Sequence, residues 1–231
     1  PTSPSHPGSR ATNRCAPSAS TAAEHATEHE LRADMISCRI APGTEIRENE
    51  LAQRFGVGLV GGDTTRGPRG ICVTILGEVP KNKALRRDGA RPGDGIWVSG
   101  ELGGAAVALA RRGGAAAAKR LHLPEPRVAL GQKLRGIASS AIDVSDGFAQ
   151  DLGHILERSG AGATVEYGRL PRFAGADAGQ VLSGGDDYEL VFTARPGVRM
   201  DAIARALKLK LTRVGTIERR PGLRILDAGG K

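Results

Sequence analysis

"AIDVSDGFAQDLGHILERSG", residues 141–160, changes character partway along. A short apolar stretch, "SAID", reads as a strand ending at Asp143, and the residues from Gly147 to Arg158 read as a helix. Ser145-Asp146-Gly147 therefore stands where the helix begins. Ser145 or Asp146 can cap that helix by accepting backbone N–H bonds. Asp143, Asp146 and Asp151 also leave three acids around a single strand-to-helix turn, and carboxylates crowded together are costly unless solvated or bridged by a cation. Both readings, a capped turn and a cation site, stand at this point.

Working outward, "RPGDGIWVSG" upstream predicts a turn and then a strand, with Pro92-Gly93-Asp94 as a seam between domains. Helices are predicted over 103–112 and 127–137. Downstream come the strands "ATVEY" and "YELVFTA", the helix "MDAIARAL", and two late strands over 212–217 and 223–226. Helices and strands in this mixed order predict an α+β fold. Nearer the N-terminus, "GVGLV" and "ICVTILGEV" read as strands on either side of a glycine-rich stretch, which puts Asp63 on the loop between them. Residues 1–50 are rich in Pro, Ser, Thr, Ala, His and Glu, with Leu31, Met35, Ile36, Ile40 and Ile46 as the large aliphatics. So few apolar side chains do not offset the ordering entropy of the segment, which reads as a disordered leader. The organisation expected is a leader (1–50), a piece of an N-terminal domain (51–93) and an α+β domain (94–231).

Composition narrows the function. With 3% aromatics and 39% hydrophobic residues, the core must be aliphatic. No apolar run is long enough for a membrane span and no secretory signal is visible, so the expected address is the cytoplasm. Cys15, Cys38 and Cys72 show no CxxC spacing and read as free thiols. The formal charge of +8 raises nucleic-acid binding, but the basic residues are scattered and not interleaved with aromatics that could stack on bases. A phosphorylated small molecule suits the charge equally, and no nucleic-acid partner is expected.

Two further acidic loops share the grammar of the first. "GVGLVGGDTTRGPRG" (56–70) contains a GxGxxG spacing, but a strand rather than a helix follows it, so the context of a dinucleotide loop is missing. No GxxxxGK[ST] occurs. What is left is a flexible Gly61-Gly62 hinge with Asp63 poised as a hard oxygen ligand. "VLSGGDDYELVFT" (181–193) places Asp186 and Asp187 behind Gly184-Gly185 in the same way. Magnesium needs only one or two carboxylates when substrate phosphates fill its other positions, so three such loops suit a site for polyphosphate. Arg66 and Arg87 could supply its cationic side.

At these residues the chain resembles the thiamine-monophosphate kinase family, of the superfamily that includes aminoimidazole ribonucleotide synthetase and selenophosphate synthetase. "LVGGDTTRGP", "DGARPGD", "WVSGELG", "EPRVALG", "SAIDVSDGFAQDLGHIL" and "LSGGDDYELVFT" stand in the family's order over 51–222. The resemblance implies the C-terminal domain of the aminoimidazole ribonucleotide synthetase-like fold, with a remnant of the N-terminal ATP-binding domain before it. It implies ATP-dependent phosphorylation of thiamine phosphate to thiamine diphosphate by direct in-line transfer with Mg²⁺. It makes Asp63, Asp143 and Asp146 metal ligands, Gly62, Asp63, Arg87 and Ser145 ATP contacts, and Asp186 the substrate contact where the family usually has glutamate. No residue is implied as a covalent or acid–base catalyst.

The chain departs from the family's pattern in several places. Gly104-Ala105 stands where Asp-Ser is common, the family's first aspartate motifs have no counterpart in 1–50, and the C-terminal aromatic placed against substrate is absent. The chain is thus expected to be N-terminally incomplete, and the family's homodimer, formed largely by that region, is not expected intact. An alternative is a remnant that binds nucleotide or thiamine phosphate without turnover, and another is a sister enzyme with a different acceptor. In "HATEH", His25, Glu28 and His29 also match the HxxEH pattern of zinc peptidases, with no well-placed third ligand following.

Overall fold

The computed structural model describes residues 77–227. Its framework is a six-stranded sheet in the order β2-β4-β1-β5-β3-β6. The strands are β1 (Gly95–Ser99), β2 (Ala138–Asp143), β3 (Gly162–Glu166), β4 (Leu190–Ala194), β5 (Leu211–Glu218) and β6 (Gly222–Leu226). All neighbours pair antiparallel except β3 and β6, which run parallel. The helices are α1 (Gly104–Leu109), α2 (Gly114–His122), α3 (Val128–Leu134), α4 (Phe148–Ser159), α5 (Ala178–Ser183) and α6 (Met200–Leu207). No helix among the described residues is long and apolar enough to cross a membrane.

Side chains alternate across a strand, and here both faces of the sheet are covered. Ile96 and Val98 join one apolar cluster while Trp97 between them packs against the other. The same division separates Ile142 from Ala141 and Val191 from Phe192. On the first face α4 lays down Phe148, Leu152, Ile155 and Leu156, the i, i+4, i+7, i+8 spacing of a single helix stripe. On the second, Leu130 and Leu134 of α3 and Met200 of α6 close over Phe192 and Ala194. Helix α4 ends in a Schellman arrangement: Gly160 adopts φ 61°, and the amide of Ala161 donates to the carbonyl of Leu156 at 3.0 Å.

The expected α+β architecture is the one observed. Helix 103–112 is shorter than predicted, ending at Leu109, and helix 127–137 ends at Leu134. Two helices were missed. Helix α2 follows from the alanine run 115–118, with Lys119, Arg120 and His122 in its last turn facing the negative end of the helix dipole. Helix α5 is set by a capping box in which the Asp177 side chain accepts the amide of Gln180 while the Gln180 side chain accepts the amide of Asp177.

Candidate functional site

The acidic loops at 143–146 and 185–189 lie side by side because the β2–β4 pairing continues past both strands. The amide of Val144 donates to the carbonyl of Glu189 at 2.7 Å, that of Tyr188 to Val144 at 2.9 Å, and that of Asp186 to Ser145 at 3.0 Å. Asp143, at the end of β2, sits opposite Leu190, the first residue of β4. This close approach needs glycine. A Cβ on Gly185 would lie 2.5 Å from the Ser145 carbonyl oxygen, and one on Gly147, whose φ is 127°, would meet the Ser183 backbone at 2.9 Å.

Beyond the glycines, "DDYE" alternates sides. Asp187 and Glu189 turn inward, and Asp186 and Tyr188 face outward. Asp187 is buried and accepts the amides of Gly103 at 2.6 Å and Ala105 at 3.3 Å, so it caps α1 from far along the chain. Burial pushes its carboxyl above the usual range, with the backbone N–H groups of Gly103, Ala105 and Gly104 pulling the other way. Glu189 is 1% exposed and is the hub of a buried polar network. It accepts from Ser99 Oγ at 2.6 Å, Arg120 Nη1 at 3.0 Å, and Arg127 Nε and Nη2 at 2.7 and 2.6 Å. The hydrogen bonds to Glu189 raise the Arg127 guanidinium above its ordinary value.

On the outward side, the Tyr188 hydroxyl donates to Asp186 Oδ1 at 3.3 Å. Partial burial raises the Tyr188 phenol above its ordinary value, and the charges of Asp186, Asp143 and Asp146 raise it further. Those three acids thus share one neighbourhood around one ring. Asp146 is exposed, with Gln150 Nε2 at 3.4 Å, and Asp143 is half-buried at the strand end.

The turn itself is capped differently from either sequence reading. Neither Ser145 nor Asp146 caps α4 with its side chain, and Gly147 occupies the cap position. The buried Asp151 reaches back, and its Oδ2 accepts the amides of Ser145, Asp146 and Gly147 at 3.0, 3.1 and 3.1 Å. Asp151 is therefore committed to the backbone, which explains why a third carboxylate is tolerated there. His154, one turn on, brings a ring nitrogen within 4.8 Å of ligand oxygens of both Asp146 and Asp151.

Residues 91–227 match the family model described as AIR synthase related protein, C-terminal domain. The chain belongs to this family. It is 45% identical over 161 residues to the thiamine-monophosphate kinase of Salmonella typhimurium LT2, covering 62% of this chain and 50% of the relative. The crystal structure of a thiamine-monophosphate kinase from Stenotrophomonas maltophilia K279a superimposes with a TM-score of 0.68 at 38% identity, covering 78% of this chain and 68% of that one. AaThiL, solved in complex with AMPPCP and TMP, superimposes with a TM-score of 0.51 at 27% identity, covering 64% and 51%. The chain spans about half the length of the Salmonella relative.

For this AIR synthase-related domain, the structure brings Asp143, Ser145, Asp146 and Asp186 to one place. Arg87 lies elsewhere. Its carbonyl accepts from Ser159 Oγ at 3.0 Å at the C-terminal end of α4, about 18 Å from the acidic end by helix rise. There it lines an open depression with Arg86, Asp88 and Arg158, in which Arg86 is paired with Asp88. Gly62, Asp63 and Arg66 fall outside the described residues, as do His25, Glu28, His29 and the three cysteines. Sequence reasoning missed Tyr188 and the inward roles of Asp187 and Glu189. The period-2 alternation through "DDYEL" was the signal that could have separated them.

Neutralising Asp186 tests this neighbourhood directly. Its charge raises the Tyr188 phenol, so Asp186→Asn should lower the pH at which Tyr188 ionises. The chain has two tyrosines, so absorbance at 295 nm in a Tyr167→Phe background reads Tyr188 alone. An unchanged or higher midpoint would mean that Asp186 and Tyr188 are not neighbours in solution.

Proposed function

We propose that this chain carries the acidic half of a site for Mg²⁺-dependent transfer of the γ-phosphoryl group of ATP to thiamine phosphate, giving thiamine diphosphate. The convergence of the two loops at 143–146 and 185–189 carries this reading, and the names of the relatives supply the substrate. The donor set suits the ion. Asp143 and Asp146 offer hard oxygen ligands at an open strand end, and magnesium takes one or two carboxylates and completes its shell with water and phosphate. Bound there, Mg²⁺ supplies charge neutralisation at the phosphate oxygens.

The chain's own residues do the rest by positioning. Asp143 and Asp146 orient the polyphosphate end of the nucleotide, with the Ser145 hydroxyl beside it. Asp186 faces the same opening and would hold the acceptor. Asp151 keeps the loop in shape through three amides. No covalent nucleophile is required, because phosphoryl transfer depends chiefly on in-line alignment and charge stabilisation. Gly62 and Asp63, which the resemblance assigns to the nucleotide, lie outside the described residues.

A coupled assay for thiamine diphosphate formation tests the reading. Asp146→Asn and Asp143→Asn should each lower turnover by roughly a hundredfold or more. Turnover insensitive to both changes would sink the proposed site. Binding of ATP or thiamine phosphate without product would identify the chain as a non-catalytic binding domain.

A further inference from the structure

Tyr188 is held in an uncommon way for an aromatic residue. Its φ is 48° and that of Asp186 is 63°, both in the left-handed region that non-glycine residues seldom occupy. Backbone of this kind persists only where the surroundings over-determine it, and it gathers at functional positions. The surroundings here are the inward anchors on either side of the ring: Asp187 bound to the α1 amides, and Glu189 bound to Ser99, Arg120 and Arg127. Between them Tyr188 is driven outward and left 41% exposed, with Asp186 at its hydroxyl.

An exposed phenol ring among carboxylates has a chemical preference. The ring face is the negative end of a quadrupole and attracts a cation placed over it, and the Asp186 carboxylate at its hydroxyl deepens that field. An anionic group is disfavoured at the same face. Tyr167, the other tyrosine, shows the pairing in this protein, with the Arg172 guanidinium carbon 5.3 Å from its ring centroid. No guanidinium is recorded over Tyr188 among the described residues.

We propose that Tyr188 is a specificity-determining contact for the acceptor, its ring face recognising a positively charged heteroaromatic ring while Asp186 holds the same molecule by its edge. This rests on the reading of thiamine phosphate as acceptor, whose thiazolium ring carries a permanent positive charge. The expected discrimination is between that ring and a neutral ring of the same shape.

Calorimetric titration of the full chain, in Mg²⁺, with thiamine phosphate and with deazathiamine phosphate, whose central ring is an uncharged thiophene, tests this. The wild-type chain should bind the cationic compound about tenfold more tightly. Tyr188→Asn, whose side chain tolerates left-handed backbone, should lose about tenfold toward thiamine phosphate and little toward the neutral analogue, abolishing the preference. Tyr188→Phe keeps the ring and should stay within about threefold of wild type. AMPPCP binding, unchanged in all three, verifies an intact fold. Retention of the charge preference by Tyr188→Asn overturns the proposal, as does its loss in Tyr188→Phe. A wild-type chain that binds AMPPCP and neither thiamine compound overturns the acceptor reading itself, and this inference with it.

Discussion

Arg127→Met should lower the free energy of unfolding by about 3 kcal/mol, because it removes the two-pronged partner of a carboxylate that is already dehydrated. Glu189 has no route to solvent at 1% exposure, and Arg127 meets both its oxygens in a two-pronged grip at 2.7 and 2.6 Å. Arg120 and Ser99 stay in place, which puts the loss at the lower end of the range for breaking a buried pair. Urea unfolding of the wild type and variant measures it. Adding Glu189→Gln to Arg127→Met removes the buried charge that Arg120 alone would have to compensate, and should recover part of the loss. That recovery separates an electrostatic cause from lost packing of the arginine stem. A single-variant change under about 0.5 kcal/mol would show that solvent or a rearranged Arg120 satisfies Glu189 in solution.

Asp151→Ala should destabilise by about 2–4 kcal/mol, because one oxygen satisfies three amides at the start of α4. Ordinary cap deletions lose a bond to one or two amides. Here the residue is 2% exposed, so water cannot simply replace the side chain. Asp151→Asn should fall between wild type and alanine, since it keeps an accepting oxygen but removes the negative charge that favours a helix N-terminus. The thermal midpoint orders the three proteins. An asparagine variant no better than alanine would locate the effect in the charge rather than in the hydrogen bonds. In the proposed site, the same loosening should also weaken Mg²⁺ binding through Asp146, a consequence a simple core defect elsewhere would lack.

Both changes act on acids that look alike in the sequence. Read as residues, Asp143, Asp146, Asp151, Asp186 and Asp187 form two clusters of equivalent candidates. In the structure Asp143, Asp146 and Asp186 open outward around Tyr188, while Asp151 and Asp187 each serve a helix N-terminus from within. The strand and helix assignments along 95–226 were legible because apolar spacing reports local period directly. Helices α2 and α5 escaped because an alanine run and a capping box, rather than an apolar stripe, set them. Arg87 was legible as a basic residue but not as one set a helix length from the carboxylates.

The linear order of residues determined the α+β class and the positions of the acidic turns at 143–147 and 184–189, since backbone period is a local property. Only the folded chain decided which acids face the open strand end and which are caps. That division depends on desolvation and on the backbone amides each carboxylate meets, Asp151 within its own turn and Asp187 at Gly103, 84 positions away.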